Sequence, residues 1–428
     1  MFFSPTYGRR CPWHVCALLI LLAWPIAAFA DAAPKMLTLA EAMRKALQHN
    51  PELQVFAWRQ HGLRGEILAA DQAAGYQLDL DAENIGRDSD DLEITLAISS
   101  VIELGNKRGA RTAAAESRLT LSQSERQAAA LDLLGSVTQR FIVVLALREK
   151  LKVLEEATEL AQSSQHMLRR RYERGAVAEA DVLRVEAALV QAQLRQQVVA
   201  TQLASSKVAL AALWGGRDVD FVEVEGALFG FAQLADFDDL YRRAAEAPAI
   251  QVFADEARVR QAELELVRVH SKTDIQWRAG IRQFGGTDDI ALVAGLSIPL
   301  FPAARNRGDV QSAKAERQLV DHRREAALLS LHAMLFDAWQ SHQQGVQAVA
   351  QLRERVLPVL ARALEQTRQA YESGRYSYVE WAGVQQEFLE AKMALIDAAT
   401  TALLQQALIE QLTAEPLAAT SFIESIQD

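Results

Sequence analysis

Two stretches of this 428-residue chain repeat one pattern of chemically and conformationally special residues. The first, YERGAVAEADVL (172–183), spaces Tyr172, Gly175 and Asp181. The second, YESGRYSYVEWA (371–382), spaces Tyr371, Gly374 and Glu380 identically. A glycine inside helix-forming sequence supplies the positive φ that closes a helix. An acid shortly after it falls in the first turn of the next helix, where a carboxylate meets free N–H groups. Copies of such acids around a narrow opening would also attract cations and repel one another. A third set, Asp79, Asp81 and Glu83, alternates with Leu78, Leu80 and Ala82 and gives a strand one acidic face. That face reads as polar pore lining.

Other chemistry is poorly represented. His49, His61, His166, His270, His322, His332 and His342 never pair at helical spacing with each other or with cysteine, so no dedicated metal site is expected. No nucleophile motif, phosphate loop or dinucleotide fingerprint stands in a suitable context. Neither an enzyme nor a cofactor is expected. A formal charge of -10 argues against nucleic-acid binding.

The elements that must position these residues are long helices. No proline lies between Pro51 and Pro248, and helix is expected without interruption from about Lys107 to about Arg171, roughly 100 Å. Before the first glycine, Leu147, Leu151, Leu154, Thr158, Ala161, Gln165, Leu168 and Tyr172 alternate steps of four and three. After it, Val182, Val185, Leu189, Ala192, Gln196, Val199, Leu203, Ser206, Leu210 and Leu213 do the same. A 3.5-residue period on both sides of a turn makes an antiparallel coiled-coil hairpin. In the second half, Pro358 is expected to split the corresponding helix near Leu357.

Four segments switch to a period of two, at about 76–85, 92–103, 274–284 and 289–301. Ten alternating residues suit a tilted membrane-spanning strand. The chain also repeats internally: NPELQVFA (50–57) matches APAIQVFA (247–254), and Ile94, Leu96 and Ile102 match Ile290, Leu292 and Ile298. Each half reads helix, two strands, long helix, glycine turn, helix. The halves cover 31–213 and 241–414, with a connector at 214–240 and a tail at 415–428. Residues 1–30 read as a signal peptide, with Arg9 and Arg10 before an apolar core and Ala28-Phe29-Ala30 as cleavage site. Cys11 and Cys16 leave with it, so the mature chain has no disulfide. Beyond it no apolar run near 18 residues stands out. The product is a soluble exported protein or crosses a membrane as strands. Four strands cannot close a barrel, since open edges are intolerable in lipid, so several chains must pool them.

This arrangement resembles the TolC-like outer-membrane efflux family over nearly the whole mature chain. ELGNKRGAR (103–111) and SIPLFPAARNRGDVQSAKAE (297–316) resemble junctions of the branch serving heavy-metal pumps of the cobalt–zinc–cadmium RND type. Asn106 stands where that motif has its second glycine. The resemblance implies a mainly α homotrimer with a shared 12-stranded membrane β-barrel continued by a periplasmic helical barrel. It implies outer-membrane lipid around the strands, and docking to a periplasmic adaptor and an inner-membrane RND transporter. Tyr172, Gly175, Ala176, Val177, Asp181, Tyr371, Gly374, Arg375 and Tyr376 would then lie at the periplasmic tip against the adaptor, with Asp181 and Glu380 at the channel entrance. The alternatives are a duct of the same kind for multidrug efflux or type I secretion, and a soluble periplasmic coiled-coil scaffold.

Overall fold

The computed structural model describes residues 36–85, 92–287 and 289–415. The segment expected to be a signal peptide, most of the tail, and the strand-connecting acids Asp88, Asp90, Asp91 and Asp288 lie outside the described residues. The first half runs β1 (Met36–Thr38), α1 (Leu39–His49), α2 (Pro51–Ala70), β2 (Gln77–Glu83), β3 (Glu93–Ile102), α3 (Lys107–Glu173) and α4 (Glu179–Ala211). After β4 (Glu223–Glu225), the second half runs α5 (Phe237–Ala245), α6 (Pro248–His270), β5 (Ile275–Phe284), β6 (Ile290–Ser297), α7 (Pro302–Arg305), α8 (Arg307–Gln351), α9 (Leu357–Glu372) and α10 (Tyr378–Thr413). The order helix, two strands, long helix, glycine turn, helix thus recurs in both halves, with the long helix divided into α7, α8 and α9 in the second. Both α2 and α6 begin with a proline, which loses nothing there because the first helical N–H has no intrahelical acceptor.

α3 is 67 residues long, roughly 100 Å. The expected seam of α4 faces inward: Val182, Val185, Val199, Leu203 and Leu210 are buried. One window of α3 is apolar and long enough to cross a membrane, which corrects the expectation that no such run exists. Most of that window is buried, and Leu134, Val137, Phe141 and Val144 pack into the main core with α1 and β4. The α-helix is interrupted just before Pro358, as expected, and α9 starts at Leu357. The two helices are not separate, because a π-helical segment, Leu352–Val356, joins α8 to α9 in the turn before the proline, where the regular bond from its nitrogen is missing.

The sheet order is β2-β3-β5-β6, all antiparallel, so the two repeats meet edge to edge at β3 and β5. β6 stops at Ser297, short of the expected 301, because Pro299 cannot donate to a ladder and Phe301 turns into the left-handed region at φ 59. The connector contributes more than a link. β4 pairs in parallel with β1, and α5 begins at Phe237, so the expected boundary at 240 falls inside a helix.

The strand-to-helix junction is fastened by charge. Asp274, just before β5, accepts the Leu104 N–H at 3.2 Å and the Lys107 ammonium at 2.6 Å. Asn106 precedes α3 with φ 62, a conformation asparagine tolerates better than most residues, which explains how it replaces a glycine there. The Lys107 side chain is only 8% exposed. Replacing Asp274 by alanine would strand a buried cation, and a loss of about 3 kcal/mol is expected in denaturant unfolding. Adding Lys107→Met should recover most of that loss. Additive losses would show that the two groups are not coupled.

Candidate functional site: the paired hairpin tips

Both glycine turns have the same backbone solution. Gly175 (φ 71) donates to the Tyr172 carbonyl at 2.8 Å, and Ala176 donates to the Arg171 carbonyl at 2.9 Å. Gly374 (φ 74) donates to the Tyr371 carbonyl at 3.0 Å, and Arg375 donates to the Ala370 carbonyl at 2.9 Å. These are Schellman closures, which satisfy the last carbonyls of α3 and α9 and need a left-handed residue. The repeated glycines are thus explained by geometry.

The helices that follow differ. Ser377 caps α10 with a full capping box: its hydroxyl accepts the Glu380 N–H, while the Glu380 carboxylate accepts the Ser377 N–H at 2.7 Å and its hydroxyl at 2.8 Å. The corresponding residue before α4 is Ala178, which has no capping group. Asp181 therefore occupies the same helical position as Glu380 without that cap. The bond from the Ser377 backbone, followed by that from its hydroxyl, holds the Glu380 carboxyl below the usual glutamate range. A depressed carboxyl stabilises the fold above its unfolded pKa and loses that contribution as pH falls through the folded value. Below the ordinary carboxylate range, the start of α10 should therefore fray first.

The two tips pack together. Leu168 of α3 and Val185 of α4 form one cluster with Tyr371, Tyr378 and Trp381. Tyr371 stacks on Trp381 with centroids 5.2 Å apart, and Tyr378 meets both rings edge-on. The Arg171 guanidinium lies 4.8 Å from the Tyr371 ring centre and donates to the Glu372 carbonyl at 3.2 Å. Burial, then the neighbouring Tyr371 and Asp181, push the Tyr378 hydroxyl's pKa up. Among the described residues, the Tyr371 hydroxyl and Trp381 indole N–H have no hydrogen-bond partner, so packing holds this cluster.

Tyr172, Gly175, Ala176, Gly374, Arg375, Tyr376 and Glu380 are exposed, and Val177 and Asp181 are half-buried. Tyr371 is 4% exposed, so it sits inside its own chain instead of on the contact surface expected of it. Trp381 and Tyr378 were missed by sequence reasoning, although their spacing of three on α10 places them on one helical face. Asp79, Asp81 and Glu83 sit together on β2, far along the chain from both tips. Among the described residues no group of three or more His, Cys, Asp or Glu could hold a metal. His342 instead bonds the Ala402 carbonyl at 2.9 Å, and His332 packs on Phe237 and Tyr241.

A four-stranded sheet continued by two long helical hairpins, with internal repetition, defines an outer-membrane channel fold. The protein VceC of Vibrio cholerae shares it with a TM-score of 0.72 at 20% identity, over 88% of this chain and 96% of that one. Residues 42–216 match the family model "Outer membrane efflux protein". The cobalt-zinc-cadmium resistance protein CzcC of Cupriavidus metallidurans is 26% identical, covering 85% of this chain and 87% of its own. The nickel-cobalt-cadmium resistance protein NccC of Alcaligenes xylosoxydans xylosoxydans is 24% identical, over 72% and 70%. This chain is thus similar to the outer-membrane efflux proteins, by sequence over residues 42–216 and by fold over most of its length. Members of that family are passive conduits of the Gram-negative outer membrane that reach into the periplasm, not enzymes. The soluble-scaffold alternative is thereby set aside. Members of the family work in tripartite pumps with an adaptor and an inner-membrane transporter.

Two outcomes are expected at the tips. Trp381→Ala should cost about 3–5 kcal/mol and release the α3–α4 hairpin from α9–α10, read as faster hydrogen exchange over 164–185. Ala178→Ser should supply the cap that α4 lacks and slow exchange at 179–185, equivalent to about 1 kcal/mol.

Proposed function

We propose that three copies of this chain pool their strands into one 12-stranded barrel and export divalent heavy-metal cations delivered by an RND pump through its adaptor. The observation that carries the barrel is the sheet itself. Leu78, Leu80, Ile94, Leu96, Ile98, Ile281, Ile290, Leu292 and Leu296 form one exposed apolar face. Leu292 is 89% exposed, an arrangement suited to lipid and costly in water. Tyr76 and Trp277 meet edge-on, 6.4 Å apart, on that face near the helical end of the sheet, where aromatic residues favour a membrane interface. β2 and β6 each have a partner on one side only, which leaves two edges for neighbouring copies. Asp79, Asp81 and Glu83 lie on the opposite face, toward the lumen in this reading.

The metal substrate is supported by the similarity to the metal-resistance proteins CzcC and NccC and by the ELGNKRGAR junction. The exposed residues of the two turns form the adaptor contact. At the entrance, Glu380 acts first as a helix cap and Asp181, free of such a cap, carries the entrance charge.

Deletion of the gene should sensitise the host to zinc, cobalt or cadmium, and the intact gene should restore growth. Sensitivity to drugs alone would favour the multidrug duct. The two roles of Glu380 separate in planar bilayers. Glu380→Gln keeps a capping group and removes the charge, so conductance and cation preference should be close to wild type. A loss of cation preference in that variant equal to Glu380→Ala would make Glu380 a charge gate instead.

A further inference from the structure

The face of the sheet opposite the apolar one carries four carboxylates and two guanidinium groups, arranged in two tiers. In the first tier Arg278 of β5 reaches across β3 to pair with Asp81 of β2, and its Nε lies 4.0 Å from Asp79. In the second, Arg282 of β5 bonds Glu93 of β3 at 2.8 Å and the Thr95 hydroxyl at 3.0 Å, and approaches Glu83 of β2 at 3.5 Å. The acids of the first repeat are thus answered by arginines of the second.

The reach depends on a low floor. Ser99, Ala97 and Thr95 of β3 are 3%, 2% and 2% exposed beneath these side chains. Gly280 stands between the two arginines and pairs with Ala97. A side chain there would come within 2.4 Å of the Leu96 carbonyl oxygen. Small residues at 97 and 280 therefore leave the space that the arginines span.

These ion pairs contribute little stability, because the arginines are 35% and 29% exposed and the acids are partly exposed too. Their larger consequence is the field they leave. Asp79 and Asp81, two residues apart on one strand face, would raise the local concentration of cations if left uncompensated. A conduit conducts only when its wall holds ions weakly enough to release them.

We propose that Arg278 and Arg282 set the ion selectivity of the barrel by cancelling part of its acidic wall, so that hydrated divalent cations pass without being retained. This rests on the assignment of that face to the lumen. Electroneutrality requires excess mobile cations to match excess wall charge. Removing both arginines changes the balance from four acids against two bases to four acids alone.

The test is the reversal potential of the purified full chain in planar bilayers under a potassium chloride gradient, with zinc chloride then added as a blocker. Arg278→Gln with Arg282→Gln should raise the cation-to-anion permeability ratio at least about twofold and make the current sensitive to zinc. Arg278→Lys with Arg282→Lys should stay near wild type. Asp81→Asn with Glu83→Gln should shift the ratio the other way, and this arm decides the matter if the glutamine pair fails to insert. Wild-type conductance with a reversal potential that no charge variant moves would overturn the inference while leaving the conduit intact. Absence of conductance in every chain, wild type included, would overturn the lumen assignment and the inference with it.

Discussion

The constraint on which the rest depends is the unsatisfied sheet. Four strands per chain present an apolar face that water does not favour and two edges with unpaired N–H and C=O groups. Lipid accepts the face and rejects the edges, which is why the proposed barrel is completed by copies of the chain. The internal repeat serves the same end. Each half supplies one strand hairpin and one helical hairpin, and β3 meets β5 at the seam between halves. Asp274 then ties the base of β5 to the start of α3, which fixes the direction in which the long helices leave the sheet.

At the other end, repetition gives way to difference. Both turns close with the same pair of backbone bonds, yet only the second carries a capping box. The aromatic residues are also unequal. Tyr172 is 43% exposed, while its counterpart Tyr371 is buried against Trp381. One hairpin thus supplies the aliphatic half of the tip core and the other its aromatic half. The two hairpins interlock, so neither tip is a spare copy of the other.

Much of this was legible in the sequence because it rests on period and punctuation. A period of two over ten residues, a period of 3.5 over dozens, and a glycine where a left-handed turn is required are local signals. The features that sequence reasoning missed arise from distant parts of the chain. Three residues of β1 pair with three of β4, too few for any period to emerge. The partners of Asp81 and Glu83 were in plain view as Arg278 and Arg282 on the polar positions of β5. Their role depends on the order β2-β3-β5, which pattern alone does not reveal. The same holds for Tyr371, for which the family resemblance implies a tip contact but which stacks on Trp381 inside its own chain.

The account stands on the claim that several chains share one barrel. Native mass spectrometry of the detergent-extracted outer-membrane protein measures this directly. A particle of three chains, released to single chains on heating together with loss of strand signal, is the predicted result. A particle of one chain that retains its full strand content would contradict the account.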